Sequence, residues 1–140
     1  MRIQHKNLTI RQAEVADAKL LAAWWNDGAV MAHAGFPNGL GTTEEEVVKG
    51  LRNGLLVVEE GDRLIGECNY HNASDGVAEI GIKICETDCQ NRGVGRKVLS
   101  MLISWLLKCR ATLRIHLKAL EKDLIDHPKV PKDQADTLEL

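Results

Sequence analysis

Within these 140 residues, one short run has the residue types and spacing of an anion-binding turn: Cys89-Gln90-Asn91-Arg92-Gly93-Val94-Gly95-Arg96. Glycines at alternate positions remove the Cβ atoms that would hold a diphosphate away from the main chain. A helix opening at Gly93 presents unpaired N–H groups at the positive end of its dipole. Arg92, Arg96 and Lys97 add cations able to partner phosphate oxygens. The competing reading of the turn is purely structural, since glycine also ends strands and opens helices. Two other phosphate motifs are excluded: GxxxxGK[ST] is absent, and GxGxxG fails because Val98 stands where the third glycine belongs.

Other chemistry-bearing residues are more scattered. Cys68, Cys85, Cys89 and Cys109 read as free thiols, and Cys85 and Cys89 lack the CxxC spacing and nearby histidines of a metal site, so no metal is expected. His33 lies in a loop and can reach an acceptor or simply be solvated, whereas His71 and His116 read as strand-surface residues. Trp24 and Trp25 read as helix packing, with an aromatic substrate cage as the alternative. A net charge of -2 with 27% charged residues argues against general nucleic-acid or anionic-membrane binding. With 44% hydrophobic residues, no run long enough to span a bilayer and no basic-then-apolar leader, the chain is expected to be cytoplasmic.

The elements that must position the turn follow from periodicity. Residues 8–11 alternate as a first strand and lead into a helix over 17–25, stopped by Asn26-Asp27-Gly28. Residues 33–41, with Pro37, Gly39 and Gly41, form a loop. Thr43 and Glu46 have capping-box spacing for a second helix that ends at Asn53-Gly54. Strands over 55–60, 63–70 and 77–84, joined by tight turns, make an antiparallel meander, because parallel strands need long crossovers. Val94, Val98, Met101, Leu102 and Trp105 then fall on one stripe of a helix over 93–108, and residues 113–119 alternate as one more strand. After Leu120 no core-forming period continues.

This order, with Gln90-Asn91-Arg92-Gly93-Val94-Gly95 in Q/R-x-x-G-x-G/A form and residues 78–84 as the preceding strand, resembles the GNAT N-acetyltransferase family. The resemblance covers residues 8–108 and extends to the strand near 114–119. It implies an α+β fold, a mixed and mostly antiparallel sheet flanked by helices, with the GNAT domain over 1–120. It implies acetyl-CoA as cosubstrate, with Ile82, Lys83 and Ile84 lining the pantetheine arm through main-chain groups. The pyrophosphate would rest on Gln90, Asn91, Arg92, Gly93, Val94, Gly95 and Arg96. The acceptor would be a primary amine of a small molecule or protein, with Glu79 or Glu67 taking its proton. Both carboxylates have a competing reading as solvated strand residues.

The chain departs from the family after the last predicted strand. The family's Asn-x-x-Ala segment, tyrosine-bearing helix, Gly-Phe and final strand pair are not matched, and no tyrosine follows Tyr70. Residues 121–140 are expected to be an atypical tail, disordered or covering a partner. The exposed sheet edge is expected to be closed by a homodimer, or the tail to come from truncation or frame change. Two functional readings stay open: an N-acetyltransferase, and a weak or inactive acyl-CoA-binding remnant.

Overall fold

The computed structural model describes residues 1–109, 112, 114–119 and 137–139. Seven strands form one sheet in chain order: β1 (Arg2–His5), β2 (Leu8–Gln12), β3 (Leu55–Glu60), β4 (Arg63–Ser74), β5 (Val77–Ile84), β6 (Arg114–Ala119) and β7 (Thr137–Glu139). The helices are α1 (Ala18–Asn26), α2 (Gly28–Met31), α3 (Glu44–Lys49) and α4 (Val94–Cys109). All neighbouring strands are antiparallel except β5 and β6. That exception follows from α4, whose length returns the chain to the start of β5 before β6 begins. The result is the expected α+β architecture, a mixed sheet with helices on both faces.

Alternation along the strands divides the core in two. Ile10, Leu56, Val58, Ile80 and Ile82 face Val94, Val98, Leu102 and Leu106 of α4. Leu55, Val57 and Cys85 point the other way, into a smaller cluster with Ala18, Leu21 and Trp24 of α1 and Val47 of α3. Arg11 fixes the entry to α1 by a bidentate bond to Asp17 at 2.8 and 2.9 Å and a 2.6 Å bond from Nε to Glu59. Burial opposes charge on Asp17. The Arg11 bonds and the Glu14 N–H outweigh it and hold the carboxyl below the usual carboxylate range.

Several elements differ from their sequence-based expectation. β1 has no counterpart in the periodicity; it pairs with β2 through a turn in which Lys6 takes a left-handed φ of 55° without a glycine to signal it. α3 ends at Lys49 instead of reaching Asn53, because Gly50 closes it with bonds to the Glu46 and Val47 carbonyls. At its start Thr43 Oγ1 accepts the Glu46 N–H at 3.1 Å as expected, but the Glu46 side chain bonds the Thr42 hydroxyl at 3.0 Å instead of turning back. The expectation that nothing in the tail would pair with β6 is corrected: β7 runs antiparallel to it, with Thr137 opposite His116 and Glu139 opposite Arg114. The edge that suggested a dimer is therefore occupied over that stretch by the chain itself. The remaining expectations for the tail, residues 120–136 and 140, lie outside the described residues.

Candidate active site

Main-chain directions on β5 decide which groups line its open side. The Cys85 N–H bonds the Ile65 carbonyl of β4, and the Gly76 carbonyl accepts from Arg114 of β6. Since main-chain groups alternate between the two neighbours of a strand, Gly81, Lys83 and Cys85 face β4 while Ile80, Ile82 and Ile84 face the β6 side. The register with β6 runs from Val77 to Ile82, so Ile84 lies past the last pair. Its carbonyl accepts the Gln90 side-chain amide at 2.9 Å, which ties the strand end to the following turn. Of the three residues expected to line a pantetheine arm by main chain, Ile82 and Ile84 therefore face that side. Lys83 has its main chain turned toward β4.

The turn itself is shaped by two left-handed residues, Asn91 with φ 59° and Gly93 with φ 77°, on either side of Arg92. Such alternation swings successive N–H groups toward one concavity, the geometry that holds anions. A Cβ on Gly93 would meet no atom within 4 Å, so conformation and not crowding demands glycine there. Arg92, Arg96 and Lys97 are exposed around the opening of α4, whose first bond runs from the Lys97 N–H to the Gly93 carbonyl. Open main-chain donors, a bare glycine and three cations fit a pyrophosphate. Behind the turn Arg63 clamps Asp88 at 2.7 and 3.0 Å and reaches Glu86 at 3.4 Å. The Asp88 bond holds Asp88 below, and the Arg63 guanidinium above, their ordinary values. Glu86 also accepts the Trp24 indole N–H at 3.0 Å, linking α1 to the turn.

On the α1 face, Glu67 of β4 lies opposite Lys83 of β5. Its Oε1 accepts the Trp25 indole N–H at 2.9 Å and the Lys83 ammonium at 3.3 Å, and Lys83 also touches Met31 Sδ at 3.2 Å. Trp25 is held by the loop after α2. The Asn26 side-chain amide accepts the Thr42 N–H at 2.7 Å and donates to the Thr42 carbonyl at 2.9 Å, and the Leu40 N–H bonds the Trp25 carbonyl at 2.7 Å. Gly39 permits this approach: a Cβ there would sit 2.2 Å from the Asn26 carbonyl oxygen.

Glu79 sits on the same face opposite His71, with Oε1 3.6 Å from Nε2. It stands four positions from Lys83 along β5, about 13 Å at the usual strand rise. The two candidate carboxylates thus occupy different stations. His33 is exposed, and Tyr70 is on the opposite face, its ring 5.5 Å from that of Trp105. Burial, reinforced by the Glu67 charge, pushes the Cys68 and Cys85 thiols up, which leaves them protonated and non-nucleophilic at neutral pH.

A family model described as the acetyltransferase (GNAT) domain matches residues 7–124. The chain belongs to the GNAT acetyltransferase family. That family places it among the N-acetyltransferases. Solved GNAT-type structures share the fold. An acetyltransferase of the GNAT family from Bacillus anthracis is 24% identical, with TM-score 0.70 over 84% of this chain and 72% of that one. The aminoglycoside acetyltransferase AAC(6')-Ib, solved with coenzyme A, is 18% identical, with TM-score 0.65 over 79% and 73%. A ribosomal-protein alpha-N acetyltransferase solved with coenzyme A is 15% identical, with TM-score 0.68 over 84% and 73%. No curated protein matches the chain. Among the described residues no helix is long and apolar enough to cross a membrane.

Sequence reasoning singled out the GNAT turn and both carboxylates but missed the side-chain roles of Trp24, Trp25 and Lys83. The indoles looked like packing, and packing they provide; their N–H groups also anchor Glu86 and Glu67. A buried indole N–H needs an acceptor, and that requirement was the available signal.

Proposed function

We propose that this GNAT-family chain is an acetyl-CoA-dependent N-acetyltransferase whose acceptor is a primary amine, with the turn over residues 90–96 holding the pyrophosphate. The observation that carries this reading is the continuity of the Ile84 main chain, past the last pair with β6, with the left-handed turn at Asn91 and Gly93, to which the Gln90 side chain ties it. Coenzyme A in two of the similar structures, and the aminoglycoside and ribosomal protein named as acceptors of those proteins, support the cosubstrate and an amine acceptor.

Glu67 is the better-built proton acceptor of the two carboxylates, since Trp25 and Lys83 fix its Oε1 and leave Oε2 without a described partner. The acceptor ammonium gives one proton to Glu67, the neutral nitrogen attacks the acetyl carbon, and the C–S bond breaks, the nitrogen's second proton going to the departing coenzyme A thiolate. Glu79, paired with His71, is the alternative base. A second reading, an acyl-CoA-binding protein that turns over weakly or not at all, is favoured by one observation. Tyr70, the chain's one tyrosine, packs against Trp105 on the α4 face, away from Glu67.

A thermal-shift titration with acetyl-CoA, followed by thiol release over an amine panel, separates the two. Stabilisation with release supports the transferase. Stabilisation without release supports the binding protein, and the absence of any stabilisation sinks both.

A further inference from the structure

Glu67 and Lys83 are opposite charges in contact, each with hydrogen-bonding capacity left over. The Glu67 side chain is 7% exposed and spends Oε1 twice, on Trp25 and Lys83, while no described residue donates to Oε2. The Lys83 side chain is 14% exposed and spends one ammonium hydrogen on Glu67 and another on the Met31 thioether, a weak acceptor. Its third hydrogen has no partner among the described residues. Charges buried this far are stabilised only when their remaining lone pairs and hydrogens are met. The missing partners are a donor for Glu67 Oε2 and an oxygen acceptor for Lys83 Nζ.

We propose that the acceptor is an α-amino acid, bound with its amine on Glu67 Oε2 and its carboxylate on Lys83 Nζ. This rests on the transferase reading for the fate of the amine, though the binding geometry stands by itself. A plain alkylammonium would satisfy Glu67 but crowd the Lys83 cation, and a plain carboxylate would do the reverse. A zwitterion matches both. Because Glu67 and Lys83 are in contact, with Oε1 3.3 Å from Nζ, a ligand that meets both must carry its amine and carboxylate close together, as an α-amino acid does on its one α-carbon. Trp25 holds Glu67 in place and Lys83 acts as the carboxylate-binding, specificity-determining residue.

Calorimetric titration of the full chain, with and without coenzyme A, tests this. The probes are L-alanine, L-glutamate, L-lysine and L-phenylalanine, each beside its amide and its decarboxylated amine. At least one acid should bind ten times or more tighter than its own amide and amine. Lys83→Met should remove that preference, weakening the acid about tenfold without weakening the amide, whose ammonium no longer faces a second cation, while Lys83→Arg should retain it. Equal binding of acid and amide by the unmodified protein, no binding by any acid, or equal weakening of both by Lys83→Met would overturn the proposal. An acid preference without any coenzyme A binding would support this site while sinking the transferase reading.

Discussion

The sheet's α4 face is apolar almost throughout, with Leu102 and Val98 of the helix closing over Ile80, Ile82 and Leu56, all at most 5% exposed. The α1 face combines its smaller apolar cluster with polar contacts: Arg11 with both Asp17 and Glu59, Lys83 with Glu67, and His71 beside Glu79. The first face is stabilised by non-directional burial, and at its end the main chain of Ile84 runs on past the last pair with β6. The second spends stability on directional contacts that hold particular side chains at particular places. On the proposed reading, a generic cosubstrate meets main chain on a rigid floor, and a particular acceptor meets side chains that must be aimed.

Emptying the floor should produce the largest effect. Leu102 is fully buried, so Leu102→Ala should cost about 2–5 kcal/mol in urea unfolding, through lost transfer energy and a residual cavity. A loss below about 1 kcal/mol would show that α4 does not carry the load assigned to it. On the other face, Glu67→Gln preserves shape and both donors' partner while removing the proposed base. Turnover should fall about a hundredfold, with acetyl-CoA affinity unchanged. If Glu79→Gln shows that fall instead, the acceptor station moves to the His71 end of the strand.

A smaller effect falls on the turn. Gly93 has φ 77°, a conformation that costs an L-residue about 1–2 kcal/mol. Gly93→Ala should therefore weaken acetyl-CoA about tenfold by calorimetry, as the turn relaxes to escape the strain. Because the added methyl group would meet nothing within 4 Å, unaltered affinity would mean that the turn keeps its left-handed shape against the strain.

The two faces also differ in how far the sequence reveals them. The turn, the meander and α4 are local patterns, so glycine spacing and periodicity identify them. The Trp25, Glu67 and Lys83 cluster depends on contacts between residues 42 and 16 positions apart. It also depends on register. A plain turn pairing Ser74 with Val77 would set Glu67 opposite Ile84, but an irregularity between Asn72 and Ser74 shifts the ladder by one and brings Lys83 across instead. A second shift between Val58 and Glu59 sets Glu67 opposite Val57, on the α1 face. One-residue slips exchange faces, and nothing in Asn72-Ala73-Ser74 announces one. β7 is illegible because three residues after two prolines carry no period; only pairing with β6 defines them.

The smallest expected effect is a pH dependence peculiar to the charged face. Asp17 titrates below its unfolded value of about 4, so its contribution is complete above that pH and is lost as pH falls through the folded value. Protonation would leave Arg11 with Glu59 alone. Asp17→Asn cannot titrate, so between about pH 6 and about pH 3 its urea midpoint should fall less than that of the unmodified protein. The apolar face offers a control: Leu102→Ala lowers stability at both pH values but should leave the acid-induced loss itself unaltered. Equal acid losses in the Asp17→Asn and unmodified chains would mean that the Arg11 bonds do not outweigh the burial of Asp17, and that this pair positions α1 without adding pH-dependent stability.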